Sequence, residues 1–379
     1  MSVGVVIKPT QYYVPEGYGV KAFRSANVRE GFINDSDWVY FSHEGHAINK
    51  KSHLKTGDVL IVRTGYPGTA CVVTPEFEGS NAIDIVIARP DMDKIIPEYL
   101  CAYTNSHIGK SQVLDLQGGM AQKHLNVGAY QVLKINLPPL REQKKIAQIL
   151  STWDKAITVT EKLLANSQRQ KKALMQQLLT GKKRLLDENG ERFSGEWKQD
   201  VNLGSIINIS KGVQINKNTL SEDGQFPVIN GGIAPSGFTS EFNTDENTIT
   251  ISEGGNSCGY VAFQKKSFWC GGHCYAVRKT ALDLSFTFHL LKYNELKIMG
   301  LRVGSGLPNI QKKAIEAFTV NFPVTSVEQQ KIAAVLSAAD DEIATLEKKL
   351  ACLKDEKKAL MQQLLTGKRR VKIDEAVAA

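Results

Sequence analysis

The stretch Lys171-Lys172-Ala173-Leu174-Met175-Gln176-Gln177-Leu178-Leu179-Thr180-Gly181-Lys182 returns without a change at Lys357 to Lys368. At the same offset of 186 the likeness extends back to Glu142 and Glu328, with 25 identities in 41 positions. The shared residues include Glu142/Glu328, Gln143/Gln329, Ile146/Ile332, Ala147/Ala333, Leu150/Leu336 and Asp154/Asp340. A repeat of this length marks an internal duplication, and the rest of the chain is read around it.

Positions 146, 150, 153, 157, 160, 164, 167, 171, 174 and 178 step by four and three and are mostly apolar. In the second copy the same steps run from Ile332 to Leu364, and only Lys357 breaks the apolar seam. Heptad spacing of this kind predicts a helix buried along one narrow stripe. Pro138-Pro139 and Pro323 precede the helices, Thr325 with Glu328 forms a capping-box pattern, and Gly181 and Gly367 supply C-terminal stops. At about 1.5 Å per residue, roughly 40 residues give a rod of about 60 Å. Two such helices in one chain can satisfy each other's seams, and an antiparallel pair with pseudo-twofold symmetry is expected. The seam residues are Ile146, Leu150, Ile157, Leu164, Leu174 and Leu178, with Ile332, Leu336, Ile343, Leu350, Leu360 and Leu364.

Between and before the rods lie two segments with the same order of features. In residues 1–140, Gly57 to Gly65 reads as a turn and an apolar strand, Thr69 to Val73 as the next strand, and Ala82 to Ala88 as one more. A helix over Pro97 to Asn105, a glycine-rich turn at Gly118 to Leu125 and a strand-like run from Val132 to Leu137 follow. In residues 197–323, Thr248 to Ser252, Gly259 to Phe263, Gly304 to Ile310 and Ala317 to Pro323 stand in the corresponding places. The expected fold class is α+β: two similar α/β domains with strand-rich cores and two long helices packed as an antiparallel coiled coil. The boundaries are 1–140 for the first domain, 141–182 for the first helix, 183–196 for a linker, 197–323 for the second domain, 324–368 for the second helix and 369–379 for a tail.

The composition, 42% hydrophobic and 23% charged, fits a folded globular chain. No run of eighteen apolar residues and no signal-peptide pattern is present, so a cytoplasmic location with no membrane partner is expected. Six scattered cysteines form no disulfide ladder, and Cys270-Gly271-Gly272-His273-Cys274 offers three cramped ligands without a partner pair, so no metal is assigned. The net charge of +8 is unevenly spread: Arg141 to Arg184 carries eleven basic against three acidic residues. The basic ends Lys182-Lys183-Arg184 and Lys368-Arg369-Arg370 suit a polyanion.

Enzyme motifs fail one by one. Asn136-Leu137-Pro138-Pro139-Leu140 has neither the order nor the aromatic residue of a base-flipping methyltransferase motif. Pro90-Asp91-Met92-Asp93-Lys94 lacks the later Glu-x-Lys of a nuclease metal site. Thr180-Gly181-Lys182 has no glycine four residues earlier, and Gly254-Gly255-Asn256-Ser257-Cys258-Gly259 leads into no dinucleotide-binding helix. The chain is therefore expected to be non-catalytic, with no catalytic residues and no cofactor of its own.

The layout of variable domain, long helix ending Ala-Leu-Met-Gln-Gln-Leu-Leu-Thr-Gly-Lys, variable domain and the same helix again resembles the specificity subunit of type I restriction-modification systems. Gly57-Asp58-Val59-Leu60-Ile61, Leu137-Pro138-Pro139-Leu140-Arg141-Glu142-Gln143 and the domain opening Trp197 to Ile206 carry the same resemblance. The first domain departs from it, lacking a counterpart of Trp197 to Ile206. The resemblance implies a reader of double-stranded DNA in which each target recognition domain reads one half of an asymmetric bipartite site. The helices would set the gap between half-sites, of the order of one DNA turn or roughly 34 Å. It also implies two methyltransferase subunits that carry S-adenosylmethionine, and restriction/translocase subunits. The alternatives are a specificity subunit of a related system with a fused methyltransferase-nuclease partner, and a coiled-coil scaffold that binds no DNA.

Loops that combine glycine, amides and basic side chains suit groove edges, where Arg or Lys fits guanine and Asn or Gln fits adenine. The candidate DNA-binding residues are Arg63, Tyr66, Gln122 and Lys123, with His124 weaker, in the first domain. In the second they are Lys211, Asn256, Arg302, Asn309 and Lys312. His273 and His289 are read as structural. Gln176, Gln177, Gln362 and Gln363, with flanking lysines, are candidate partner-docking residues, because polar positions repeated without change are not required by packing.

Overall fold

The computed structural model describes residues 1–116, 125–221, 223–304 and 306–373. The chain divides into two compact units, Met1–Lys162 with Lys348–Ala379, and Leu163–Glu347. The long helices span Leu140–Leu178 and Ser326–Leu365, 39 and 40 residues. Each contributes residues to both units.

In the first unit a four-stranded antiparallel sheet has the order Ser2–Val3, Ile85–Ala88, Val59–Val62, Ala70–Val72. The strands Val59–Val62 and Ile85–Ala88 are buried on both faces, which is why they read as unbroken apolar runs. A second sheet runs Tyr13–Val14, Val39–Ser42, Gly19–Phe23, Asn81–Ala82, its last pair parallel. The predicted helix is present at Pro97–Asn105.

Two expectations are corrected here. Ala82 to Ala88 is not one strand: Asn81–Ala82 and Ile85–Ala88 belong to different sheets, and the chain turns between them at Asp84, whose φ is +48°. A short carboxylate side chain tolerates that left-handed conformation better than most. Val132 to Leu137 is not a strand either; residues 133 to 139 have no ladder partner among the described residues.

The second unit repeats the arrangement. Its sheet runs Ile207–Lys211, Cys274–Thr280, Thr248–Ser252, Val261–Gln264, again antiparallel. Matching registers extend to single atoms. Gly4 N donates to Ile85 O at 2.9 Å, and Gly212 N to Cys274 O at 2.8 Å. A Cβ on Gly4 would lie 2.4 Å from Ala82 O, and one on Gly212 would lie 2.3 Å from Cys270 O, so both approaches require glycine. Here Thr319–Pro323 does form a strand, because Trp197–Asn202 pairs with it.

Within each unit the helical segments run antiparallel. In the first, Arg370 pairs with Glu142 and Lys357 Nζ with Asp154 at 2.5 Å. In the second, Arg184 Nε meets Glu328 at 2.5 Å and Lys171 pairs with Asp340. Lysines 171 and 357 look like seam breaks in the sequence, yet each neutralises the aspartate that belongs to the other copy. The predicted seam is buried or half-buried at every position from Ile146 to Leu178 and from Ile332 to Leu364. Glu328 does not close the capping box: both its oxygens are taken by Arg184. Gln143 and Gln329 do equivalent work, accepting from Ile96 N and Asp283 N at the starts of the domain helices and donating to Pro138 O and Pro323 O.

Candidate nucleic-acid interface

In the second unit, the end of the four-stranded sheet that carries the loop after Thr248–Ser252 gathers most of the candidate side chains. Glu253 follows that strand and anchors them. Its carboxylate accepts from Lys211 Nζ at 2.6 Å and lies 3.2 Å from His273 Nδ1. The loop then passes through Gly254 and Gly255, with φ of +79° at Gly255, and leaves Asn256 exposed. A neighbouring turn is tied to it. Gly255 N donates to Pro308 O at 2.9 Å, Ile310 N to Glu253 O at 2.8 Å, and Val303 and Asn309 bond each other's backbones.

These bonds place Asn256, Arg302 and Asn309 on two joined loops, with Lys211 beside them. Arg302 is exposed; the buried Cys258 thiol is pushed up by burial while Arg302 pulls it down. Asn309 is half-buried, and its Oδ1 accepts from Gln311 Nε2 at 3.0 Å. Lys312 begins the helix Lys312–Ala317, where it makes an exposed ion pair with Glu316 at 3.5 Å. The assembly offers an amide, a guanidinium, an ammonium and an imidazole on glycine-bearing loops, the donor set suited to base edges and phosphates.

The first unit holds its counterpart in the same register. Leu125 N donates to Arg63 O at 2.9 Å, as Ile310 N does to Glu253 O. Arg63 therefore occupies the place of Glu253, and Asp84, just before its strand, that of His273. The charges are exchanged: Arg63 Nη1 donates to Asp84 at 2.6 Å, and its Nε to Leu125 O at 3.0 Å. Arg63 is buried, so its guanidinium braces the loop and is not presented to solvent. From that position it would contact a base only by leaving Asp84. Tyr66, at the tip of the same loop, is 82% exposed. Gln122 and Lys123, with His124, lie outside the described residues.

Glu253 and Asp84 carry no DNA-binding signal of their own in the sequence, since a carboxylate is repelled by phosphate. Setting the strands in register would have found both, since each adjoins a strand end beside its loop. His273, read as structural, is exposed and belongs to the loop cluster. His289 is structural: it is buried, Nε2 lies 2.9 Å from Ser337 Oγ, and Nδ1 has no hydrogen-bond partner among the described residues. Burial drives its pKa down to about 4, against the pull of Asp340. Its folded pKa is thus below its unfolded value, so the unfolded chain binds the proton more readily, and stability falls as pH drops from about 6.5 towards about 4. His289→Gln is expected to flatten this decline by up to about 3 kcal/mol, read from urea midpoints at pH 7 and pH 4.5.

Cys270 and Cys274 are buried and bond backbone carbonyls, and among the described residues no group of three or more metal-ligating side chains assembles. Gln176, Gln177, Gln362 and Gln363 are all exposed on the long helices. No described helix is long and apolar enough to cross a membrane.

Comparison with known proteins bears on this arrangement. A family model described as type I restriction modification DNA specificity domain matches residues 42–166 and 195–355. A Methanocaldococcus jannaschii protein named as the specificity subunit of the type I restriction enzyme MjaX is 31% identical over 356 residues, covering 88% of this chain and 79% of that protein. A Mycoplasma pneumoniae protein named as a type I specificity subunit is 37% identical over 141 residues, and the match spans only 37% of its length. A second, from Mycoplasma genitalium, is 33% identical with 38% of its length spanned. Among solved structures, the S subunit of a type I restriction-modification system from M. genitalium shares the fold, with a TM-score of 0.66 at 17% identity over 96% of this chain and 92% of that one. With most of its length matched by the family model, the chain belongs to the type I restriction-modification DNA specificity family.

Proposed function

We propose that this chain is the sequence-reading subunit of a type I restriction-modification complex, in which each unit reads one half of an asymmetric bipartite DNA site. One observation carries the reading. The two sheets share strand order and register, yet the loop at the same sheet end is braced by Arg63–Asp84 in one unit and by Lys211–Glu253–His273 in the other. A preserved frame with altered loop chemistry is what two readers of different bases require. Methylation and cleavage belong to partner subunits on this reading, two methyltransferases carrying S-adenosylmethionine and a restriction/translocase component. A cytoplasmic setting follows from the same role.

The long helices are the proposed docking rods, and their unchanged glutamines the contact points. Replacing Gln176, Gln177, Gln362 and Gln363 together by alanine is expected to weaken methyltransferase assembly at least about tenfold, about 1.4 kcal/mol, while leaving the melting temperature in place. Co-purification and calorimetric titration check this. The broader reading is tested by fluorescence anisotropy of the assembled complex on duplex DNA across a salt series. Affinity falling steeply with salt and depending on sequence is the expected result. A complex that assembles but shows neither property would favour the scaffold reading.

A further inference from the structure

We propose that Leu307 and Ile233 of the second unit are specificity-determining residues that recognise the methyl group of thymine in the half-site; this rests on the DNA-reading function proposed above. Leu307 is 84% exposed, more than any other large apolar side chain among the described residues, and Ile233 is 68% exposed. A lone exposed apolar residue needs no explanation. Two of them on the loops that hold the polar donors do.

The backbone brings them there, because three loops meet at Gly254. A Cβ on Gly231 would lie 2.8 Å from His273 O and 3.3 Å from Gly254 O, and one on Gly254 would lie 3.8 Å from Pro308 O. Only glycine at 231, where φ is +86°, allows the first of these approaches. Ser252 Oγ donates to Gly231 O at 2.5 Å, and His273 N donates to Asn230 Oδ1 at 2.9 Å. The loop leading to Ile233 is thereby tied both to the strand end and to the His273 turn. On the other side, Gly255 N donates to Pro308 O at 2.9 Å, one residue after Leu307. That proline also disfavours helical backbone at Leu307, which lowers the entropy lost when the side chain is buried against a ligand.

The chemistry of what they face follows from their neighbours. Lys211, Asn256, His273 and Arg302 stand on or beside these loops and suit phosphates and the polar groups of base edges. Among those polar groups, a base edge in the major groove presents one apolar group, the methyl of thymine. An apolar side chain set beside amides and cations matches it, and neither Leu307 nor Ile233 has a polar atom with which to read anything else. The antiparallel bridge between Val303 and Asn309 closes the turn that carries Leu307, and the major groove admits a two-stranded turn of this kind.

The probe is a pool of duplexes with a random central segment, offered to the complex assembled with the parent chain, with Leu307→Ser or with Ile233→Ser. Bound duplexes are sequenced, and the selected site is remade with deoxyuridine in place of each thymidine in turn, which removes the methyl and keeps every hydrogen-bonding group. Leu296→Ser is the control, since Leu296 is 82% exposed on the separate helix Glu295–Met299. Parent and control are expected to select a site with at least one thymine whose replacement weakens binding about four- to tenfold. In one or both loop variants the same replacement should cost less than about twofold, with melting temperatures unchanged. A selected site indifferent to deoxyuridine throughout, or a methyl preference that both variants keep, would overturn the proposal and leave the reading function standing. Variants that weaken binding without regard to the methyl, and that abolish unstacking reported by a fluorescent adenine analogue, would assign the pair to a wedge between base steps and overturn it as well. A complex that selects no sequence at all would overturn both the proposal and the function on which it rests.

Discussion

Glu328→Ala is expected to destabilise the second unit by roughly 3–5 kcal/mol, because it strands a charge whose partner is buried. The Glu328 side chain is 1% exposed, and its two oxygens receive Arg184 Nε at 2.5 Å and Nη2 at 2.7 Å. Arg184 is held in place by Gly195 O and by the face of Trp197, so it cannot swing freely to water once the carboxylate is gone. The duplicate pair behaves differently. Glu142→Ala frees Arg370, which already faces solvent, and the loss should be clearly smaller. Denaturant midpoints for the two variants, measured side by side, check the asymmetry; equal losses would contradict it. Arg370's hydrogen bond holds the Glu142 carboxyl below the usual carboxylate range. Its contribution is therefore present above the ordinary carboxylate pKa and lost as pH falls through the lowered value.

The second large effect concerns DNA. Replacing Asn256, Arg302 and Asn309 together by alanine is expected to cost on the order of 10²–10⁴ in affinity for the cognate site, since one well-placed base contact is worth about 1–3 kcal/mol. Lys312→Ala alone should act differently, weakening all sequences alike and reducing the salt slope by about one. The side chains of Asn256 and Arg302 are exposed on loops joined by backbone bonds, so their removal leaves the sheet intact. Anisotropy titrations on cognate and scrambled duplexes separate the two behaviours. A triple variant that discriminates as well as the parent would remove these loops from the reading surface.

The helical character and buried seam of the rods were legible in the sequence, because heptad spacing reports burial directly. Its apparent faults were misleading: Lys171 and Lys357 are seam residues whose ammonium groups meet Asp340 and Asp154, pairings that only the folded antiparallel register brings together. Strand periodicity failed where partners decide the outcome. The run Val132 to Leu137 has an apolar strand-like pattern but no neighbouring strand among the described residues, while Thr319–Pro323, of similar pattern, has Trp197–Asn202. Asp84 broke an apolar run by one left-handed residue, which no pattern of hydrophobicity encodes.

At the candidate interface, residue type alone does not say which way a side chain turns. Asn256, Arg302 and Lys211 do reach one loop cluster, but Arg63 turns inward because Asp84 and Leu125 O claim its guanidinium. Charge on a loop residue says nothing of which partner takes it. The exchanged braces at Arg63 and Glu253 follow from the register of the two sheets, not from residue type.

The central claim, that this chain selects a bipartite site through two different readers, is tested most directly by sequencing methylated bases in host DNA. Hosts would carry the methyltransferase with the parent chain, with the Asn256, Arg302 and Asn309 variant, or with neither. The account predicts an asymmetric two-part methylated motif that requires the chain and is altered or lost in the variant. An assembled, expressed complex that leaves no chain-dependent motif, or a motif unchanged in the variant, would contradict it.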